Sequence, residues 1–327
     1  MAAREAASAA ASAHACAPAT VPATELPLEA AVTPAENLVA TIANQIDDGD
    51  VLLEGIGTFL PTSAYLLAQA THAPNSIRLC PVGNVFVAEA HGLSMADYEF
   101  ETLRRGLYRF TYWDVNASYL PSFLPGKRGA WKEFLRPAQV DRTGRTNNVV
   151  IGPYEAPTVR LPGAAGLPDG VPIEPALYMY VPRHDRNCFV AKLDFVSAPG
   201  IDDGAHPLLI VTNLAIMRFA ADGRLDVETL MPGATREEVQ DNTAFELRFR
   251  SPLVPFRPPT AHQLQVLRSD IDPQSLRELE FHLGDERLAR IESLARQEPA
   301  HDSLYSTLAT LRERQRGAES EPGAGRS

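Results

Sequence analysis

The fold is decided by residues 51–83, which read VLLEGIGTFLPTSAYLLAQATHAPNSIRLCPVG. The apolar run Val51–Leu53 predicts a buried strand, and two glycines, Gly55 and Gly57, follow it almost at once. A helical stretch, a turn and a second apolar run that ends near Cys80 come next. This order of strand, glycine turn, helix and strand predicts one βαβ unit.

The glycine turn is a candidate ligand site. Glycine lets the backbone approach a ligand closely, and the helix N-terminus that follows favours an anion. The alternative is a glycine turn that serves only the tight connection. Ligands in open α/β sheets collect at the carboxyl ends of the strands. If the first two strands are neighbours, we expect Glu54, Gly55, Gly57, Cys80 and Gly83 to lie near one another.

The composition narrows the class of protein. The chain has 327 residues, 45% of them hydrophobic and 22% charged, as expected of a soluble globular protein. The net charge of −11 argues against a nucleic-acid partner, which would need a basic surface. No apolar run is long enough for a membrane span. Cys16, Cys80 and Cys188 show neither a disulfide framework nor metal-ligand spacing, so we expect a cytoplasmic protein without a bound metal.

The ends of the chain differ from its middle. Residues 1–32 are mostly Ala, Ser, Thr and Pro, which predicts a disordered tail. Thr33, Pro34 and Glu36 then form a capping-box pattern that predicts the start of the first helix. Three further segments are predicted by the same patterns: an α/β domain at 33–283, a helical extension at 284–316 and a second disordered tail at 317–327.

Between the ends, strand and helix patterns alternate, which predicts an α/β fold with an open, largely parallel sheet flanked by helices. Helices are predicted at 62–71 and at 234–240, the latter with Thr235 as its cap. The nine predicted strands are 51–54, 77–80, 109–113, 134–140, 178–181, 193–197, 208–212, 216–219 and 245–249.

A set of segments in fixed order resembles the β subunits of the glutaconate CoA-transferase type, within the family I CoA-transferase superfamily. The most specific is the Q-[IV]-D-x-x-G-x-x-N turn that begins at Gln139 and ends at Asn147. The matching segments, within residues 36–280, are NLVATIANQIDDGDVLLEGIG, ATHAPN, AQVDRTGRTN, RLPGAAG, KLDFVSAPGIDDG, LIVTNLAIMRF, MPGATREEVQDNTAFEL and DIDPQSLRE.

The resemblance implies an α-type partner subunit in a heterodimer or heterotetramer, with a homo-oligomer as the alternative. It also implies acyl-CoA as the substrate and an active site at the subunit interface. Four residues match the family's glycine-rich loop against the thioester: Gly163, Ala164, Ala165 and Gly166. Their small side chains would permit close backbone approach and an oxyanion contact. The alternative for this loop is a tight structural turn.

One departure from the family concerns the nucleophile. Counting from the Ala-Pro-Asn turn that begins at Ala73, the position of the family's nucleophilic glutamate is Pro81, which has no nucleophile. Two nearby residues are the candidate catalytic groups. Cys80 directly precedes Pro81. Because successive strand residues face opposite sides of a sheet, the two positions are not equivalent. The alternative role of Cys80 is a small buried hydrophobe. Glu54 follows an apolar strand, where burial would raise its pKa toward acid–base use. Its alternative role is a hydrogen-bonded or exposed strand-end carboxylate.

Three functional hypotheses follow. In the first, the chain is a subunit of an enzyme that decarboxylates an acyl-CoA or hydrolyses a C–C bond in it. In the second, it belongs to an acyl-CoA:carboxylate CoA-transferase whose nucleophile is supplied elsewhere. In the third, it is a non-catalytic scaffold for an active α chain. The run from Leu135 to Pro137, which replaces small residues of the family, also predicts an acyl pocket of different shape.

Overall fold

The computed structural model describes residues 31–55, 57–80, 83–95, 102–111, 114, 131–172 and 177–297. The chain divides into two units, and nearly all of the described residues belong to the unit Glu25–Ala295. The other combines Met1–Thr24 with Arg296–Ser327 and lies almost wholly outside the described residues. The predicted tail at 317–327, nearly all of the tail at 1–32, and Pro81 also lie outside them.

A ten-stranded sheet forms the centre of the fold. Its strands, from one edge to the other, are β4 (Tyr108–Arg109), β3 (Val85–Val87), β2 (Ile77–Cys80), β1 (Val51–Leu53), β5 (Trp131–Leu135), β10 (Leu177–Val181), β11 (Pro207–Thr212), β12 (Ala215–Phe219), β13 (Leu225–Leu230) and β14 (Arg248–Phe249). The five central strands β2, β1, β5, β10 and β11 are mutually parallel, and antiparallel pairs flank them on both sides. The predicted α/β fold with an open, largely parallel sheet is confirmed.

Two small hairpins lie beside the main sheet. One pairs β6 (Gln139–Val140) with β7 (Thr146–Asn147), and the other pairs β8 (Val150–Ile151) with β9 (Val159–Arg160). The predicted strand at 134–140 is therefore wrong as a single element. It breaks into β5 and β6 because Pro137 lies between them and cannot donate to a ladder.

The α-helices are α1 (Pro34–Ala43), α2 (Phe59–Thr71), α3 (Leu167–Gly170), α4 (Arg236–Asp241), α5 (Ala261–Gln265) and α6 (Gly284–Gln297). A π-helix at Val266–Ile271 continues α5, and 3₁₀ helices lie at Ile201–Asp203 and Leu276–Glu280. The predicted capping box is confirmed, since Thr33 Oγ1 accepts from Glu36 N at 3.2 Å and Thr33 N donates to the Glu36 carboxylate at 2.9 Å. Thr235 caps α4 as predicted.

The predicted βαβ unit is also confirmed. Strands β1 and β2 pair in parallel, with Val51 opposite Ile77 and Leu52 opposite Arg78. Leu52 belongs to the core that α1 and α2 cover, so Arg78 and the next residues in register, Glu54 and Cys80, share this helix-covered face. The other face of the sheet packs Leu79 against different side chains.

The predicted strand at 193–197 is wrong. This segment is an irregular loop, because its polar side chains bond to the neighbouring hairpins instead of a ladder. Ser197 Oγ donates to Thr146 O at 3.0 Å, and the Asp194 carboxylate accepts from Gly152 N at 3.1 Å. Conversely, β13 and β3 are regular strands that the sequence pattern missed.

A buried charge cluster joins α1 to the C-terminal part of the unit. The Glu36 carboxylate binds Arg268 Nε at 2.7 Å and Arg277 Nη2 at 3.0 Å, and Arg277 also pairs with Asp272 at 2.9 Å. Burial alone would raise the pKa of Glu36, but the hydrogen bonds from Arg268 and from the Thr33 amide outweigh it and lower the pKa. Glu36 is therefore charged at neutral pH and supplies a counter-charge to both arginines.

We expect Glu36→Gln to lower the free energy of unfolding by about 3–5 kcal/mol at pH 7, because it leaves two buried guanidinium groups without this carboxylate. Because the folded-state pKa of Glu36 is depressed, its contribution is present at neutral pH and is lost as the pH falls through that pKa. The difference between wild type and variant should therefore shrink in acid. Urea unfolding across pH measures it, with the exposed Glu237→Gln as control; a constant difference down to pH 3 would contradict the assignment.

Candidate active site

The candidate site lies where β1 and β2 end. Glu54 N donates to Leu79 O at 3.0 Å, which extends the parallel ladder and brings Glu54 beside Cys80. Gly55 and Gly57 follow directly and lead into α2. The predicted approach of Glu54 and Cys80 is thus present in the structure, on the face that the helices cover.

Glu54 belongs to a buried ion pair. Its Oε1 lies 2.5 Å from Arg78 Nη1, and the two side chains are 3% and 0% exposed. The same guanidinium donates from Nε to Gln69 Oε1 at 2.9 Å and from Nη2 to Glu89 O at 3.1 Å. Arg78 was not among the predicted site residues, although a charged residue inside an apolar strand is a signal that could have revealed it.

Cys80 is a buried thiol, 1% exposed. Burial raises its pKa well above the ordinary range, and the neighbouring Glu54 charge raises it further. Because the thiolate is the reactive form, this environment disfavours Cys80 as a nucleophile in the resting fold. The catalytic assignments of Glu54 and Cys80 stay predictions.

His91 joins this environment and was also missed. Burial, together with the positive charge of Arg78, lowers the pKa of His91 to about 4, so His91 is neutral at pH 7. Its Nδ1 lies 2.9 Å from Gly92 O. A lone histidine after a short strand carries no spacing signal, and only the fold places it near Arg78.

The predicted ligand glycines differ in their surroundings. Gly57 (φ +67°) and Gly163 (φ +120°) are left-handed, and a Cβ at either would meet nothing within 4 Å. A Cβ at Gly83 would overlap the Leu103 side chain, and one at Gly55 would lie 2.9 Å from Thr58. The space beside Gly57 and Gly163 is therefore open to a ligand, whereas Gly83 and Gly55 are required by packing.

The glycine-rich loop also contains a strained alanine. Ala165 adopts φ +48°, a conformation that costs an alanine about 1–2 kcal/mol. It lies between Ala164, which lines a cavity of about 720 Å³, and Gly166 at the start of α3. Such strain is often held at ligand-binding segments.

The N-terminus of α2 is occupied by a carboxylate of the same chain, that of Glu280. Leu60 N donates to Glu280 Oε1 at 2.8 Å, while Glu280 Oε2 binds Arg136 Nη1 at 2.9 Å and accepts from Tyr180 Oη at 2.8 Å. Burial and the Glu280 charge raise the pKa of Tyr180 well above its ordinary value, so its hydroxyl stays a donor. Glu280 was missed because 220 residues separate it from Leu60.

The turn from Gln139 to Asn147 supports the nearby loops. Asn147 Nδ2 donates to Gln139 Oε1 at 2.7 Å, and Gln139 Nε2 donates to the Asp194 carboxylate at 3.0 Å. Asn148 then accepts from Gly163 N at 2.9 Å through its backbone oxygen and from Ala138 N at 2.7 Å through its side chain. These bonds attach the glycine-rich loop to the segment that follows β5.

Metal-binding clusters and membrane helices are both absent from the described part of the chain. No group of three or more His, Cys, Asp or Glu side chains there is placed to hold a metal ion. No helix in the same ranges is both long and apolar enough to cross a membrane.

Comparison with known proteins places the chain in a family, although no protein-family model matches it. It is 31% identical over 257 residues to the B subunit of 3-oxoadipate CoA-transferase from Pseudomonas knackmussii, across 73% of this chain and 94% of that protein. The chain belongs to the CoA-transferase B subunits. The resemblance found in the sequence is thereby confirmed.

Other relatives of this CoA-transferase chain carry out different chemistry. The cholesterol ring-cleaving hydrolase IpdB subunit of Rhodococcus jostii is 33% identical over 152 residues, 43% of this chain and 60% of that protein. The crystal structure of the decarboxylase AibA/AibB superimposes with a TM-score of 0.68 at 26% identity, over 76% of this chain and 98% of that chain.

The buried pair of Glu54 and Arg78 leads to a test of Glu54. We expect Glu54→Gln to lower the free energy of unfolding by about 3–5 kcal/mol, since it leaves Arg78 buried without its counter-charge. Adding Arg78→Met should recover part of this loss, with a coupling energy of about 1–3 kcal/mol. Urea unfolding of the single and double variants measures both values.

Asp222→Asn is the matched control, because its pair with Arg248 is exposed and is expected to contribute at most about 1 kcal/mol. If Glu54→Gln and wild type have equal free energies of unfolding, the pair with Arg78 does not stabilise the fold. That result would favour a catalytic role for Glu54.

Proposed function

We propose that this chain acts with an A-type CoA-transferase subunit as an enzyme on acyl-CoA thioesters. We further propose that it decarboxylates the acyl group or hydrolyses a C–C bond, and does not transfer CoA through a glutamyl-CoA intermediate. One observation carries the proposal. In a chain of the CoA-transferase B family, two left-handed glycines face open space: Gly57 in the turn after β1, and Gly163 in the glycine-rich loop after β9.

Binding of the thioester is supported by the backbone in this region. A glycine without a neighbour lets a ligand approach the main chain, whose amide groups can then stabilise an oxyanion. Ala165, with its strained backbone, and Ala164, at the cavity wall, belong to the same loop. No metal is needed for this role of the loop.

The type of chemistry is inferred from the residue at the position of the family's nucleophilic glutamate. Pro81 has no nucleophilic group. Of the two candidate replacements, Glu54 is bound to Arg78 and Cys80 is a buried thiol of raised pKa. Relatives named as a ring-cleaving hydrolase and a decarboxylase support chemistry on the acyl group. Any acid or base that the reaction needs is then supplied by the partner or by a rearrangement that frees Glu54.

The partner is inferred from the relatives. Their names describe subunits or two-component enzymes, such as the CoA-transferase B subunits and AibA/AibB. We therefore expect a heterodimer or heterotetramer with an A-type subunit. Light scattering of the co-expressed pair tests this, and a stable homo-oligomer that ignores the A-type subunit would favour the alternative assembly.

We expect Gly57→Ala and Gly163→Ala to weaken acyl-CoA binding to the assembly by roughly tenfold or more, because the new methyl group fills the space open to the ligand. Isothermal calorimetry with a panel of acyl-CoA thioesters measures the change. Gly49→Ala is the control, since Gly49 is also left-handed and open but precedes β1 at the opposite edge. If wild-type assembly shows no heat with any thioester, the CoA proposal fails and the scaffold hypothesis gains.

We expect no covalent CoA adduct on this chain when the assembly turns over an acyl-CoA. A glutamyl-CoA thioester would be reduced by borohydride and cleaved by hydroxylamine, and both leave mass changes on the glutamate. Peptide mass spectrometry after each treatment reads them. A modified Glu54 would overturn the proposal in favour of CoA transfer with a relocated nucleophile, and a modified glutamate on the A-type subunit would assign transfer to the partner.

A further inference from the structure

A layered stack of planar groups lies on the surface near the glycine-rich loop. The rings of Tyr154 and Phe195 are 5.6 Å apart at an interplanar angle of 26°, and Arg160 Cζ lies 5.0 Å from the centre of the Tyr154 ring. Tyr154 is 52% exposed, and the neighbouring Val159 and Val196 are exposed as well. We call Tyr154, Phe195 and Arg160 the stacking cluster.

The stacking cluster is held in place by hydrogen bonds to the polar turn that begins at Gln139. Asp194, next to Phe195, accepts from Gln139 Nε2 at 3.0 Å and from Gly152 N at 3.1 Å. These bonds fix the loop that carries Phe195 against the β8–β9 hairpin. Arg160 Nη2 also donates to Tyr154 O at 3.2 Å, which orients the guanidinium over its own hairpin. A preorganised surface of this kind loses little entropy on binding.

The charge of the stacking cluster favours an anion. In the described ranges, no carboxylate lies within ion-pair distance of Arg160, whereas the surface arginines Arg145, Arg218 and Arg248 each have at least one carboxylate partner. An arginine that is not neutralised beside an aromatic ring offers both a stacking plane and a positive charge. This combination fits a ligand that has a planar base and phosphate groups.

The cavity of about 720 Å³ extends from Phe195 of the stacking cluster to the glycine-rich loop. Phe195 and Val196 line one part of it, and Ala164 and Pro168 line another. Its volume is within the usual range for small-molecule and cofactor sites. A ligand whose planar end rests on the stacking cluster therefore extends along this cavity toward the loop proposed to face the thioester.

We propose that the stacking cluster is the binding site for the adenine nucleotide of the acyl-CoA. The adenine stacks with the aromatic rings, and Arg160 attracts a phosphate. This assignment rests on the proposed function and adds to it a recognition site for the non-reacting end of the substrate. Such remote binding energy positions the acyl group without taking part in the chemistry.

The test compares CoA with pantetheine, which lacks the nucleotide, by calorimetry on the complex assembled with the A-type subunit. We expect Tyr154→Leu and Arg160→Gln each to weaken CoA binding by roughly tenfold or more, on the scale of one lost base stack. Pantetheine, titrated at higher concentration, should bind wild type and both variants equally. The controls are Tyr108→Leu, a tyrosine 56% exposed on the edge strand β4, and the exposed Arg224→Gln.

Each result has a distinct meaning. If wild type binds CoA and both variants bind it equally well, the nucleotide site is wrong while the proposed function stands. If wild type binds neither CoA nor pantetheine, the proposed function fails as well. If the variants separate from the A-type subunit in light scattering, the stacking cluster is a subunit contact, which also overturns the nucleotide assignment.

Discussion

The buried carboxylate of Glu280 connects three elements at the edge of the sheet where the candidate site lies. It binds the first turn of α2 through Leu60, the segment after β5 through Arg136, and β10 through Tyr180. Burying a carboxylate is costly unless charge and hydrogen bonds compensate it, and here one cation and two donors do so. Because Glu280 comes from the C-terminal part of the unit, this contact ties the start of α2, next to the glycine turn after β1, to a segment distant in the chain.

A second buried charge at the same edge, Glu54, has a similar role. Its pair with Arg78 lies on the helix-covered face of the sheet, beside the buried thiol of Cys80. Glu54 and Glu280 are thus both buried carboxylates that hold the structure together at the edge of the sheet where the candidate site lies. What remains accessible is backbone at Gly57 and Gly163 and the cavity beside Ala164.

The polar turn from Gln139 to Asn147 connects the remaining features. Its side chains hold the irregular loop at Asp194, and the adjacent Asn148 holds the glycine-rich loop. Side-chain and backbone hydrogen bonds, instead of regular strand pairing, therefore order the loop at Asp194 and the glycine-rich loop. The stacking cluster and the glycine-rich loop consequently share one rigid support, which suits two ends of a single long ligand.

Local sequence patterns were sufficient to predict the βαβ unit, the capping box at Thr33, the parallel sheet and the family. These depend on local patterns: apolar runs, glycines after strands, caps and segments in fixed order. The sequence also placed Glu54 beside Cys80, since neighbouring parallel strands end at one edge. The tertiary structure was needed to show that Arg78 pairs with Glu54 and that Glu280 binds the start of α2. It was also needed to show that the segment around Asp194 is a loop. Each of these depends on partners distant in the chain, and charge–charge contacts across such distances leave no periodic signal in the sequence.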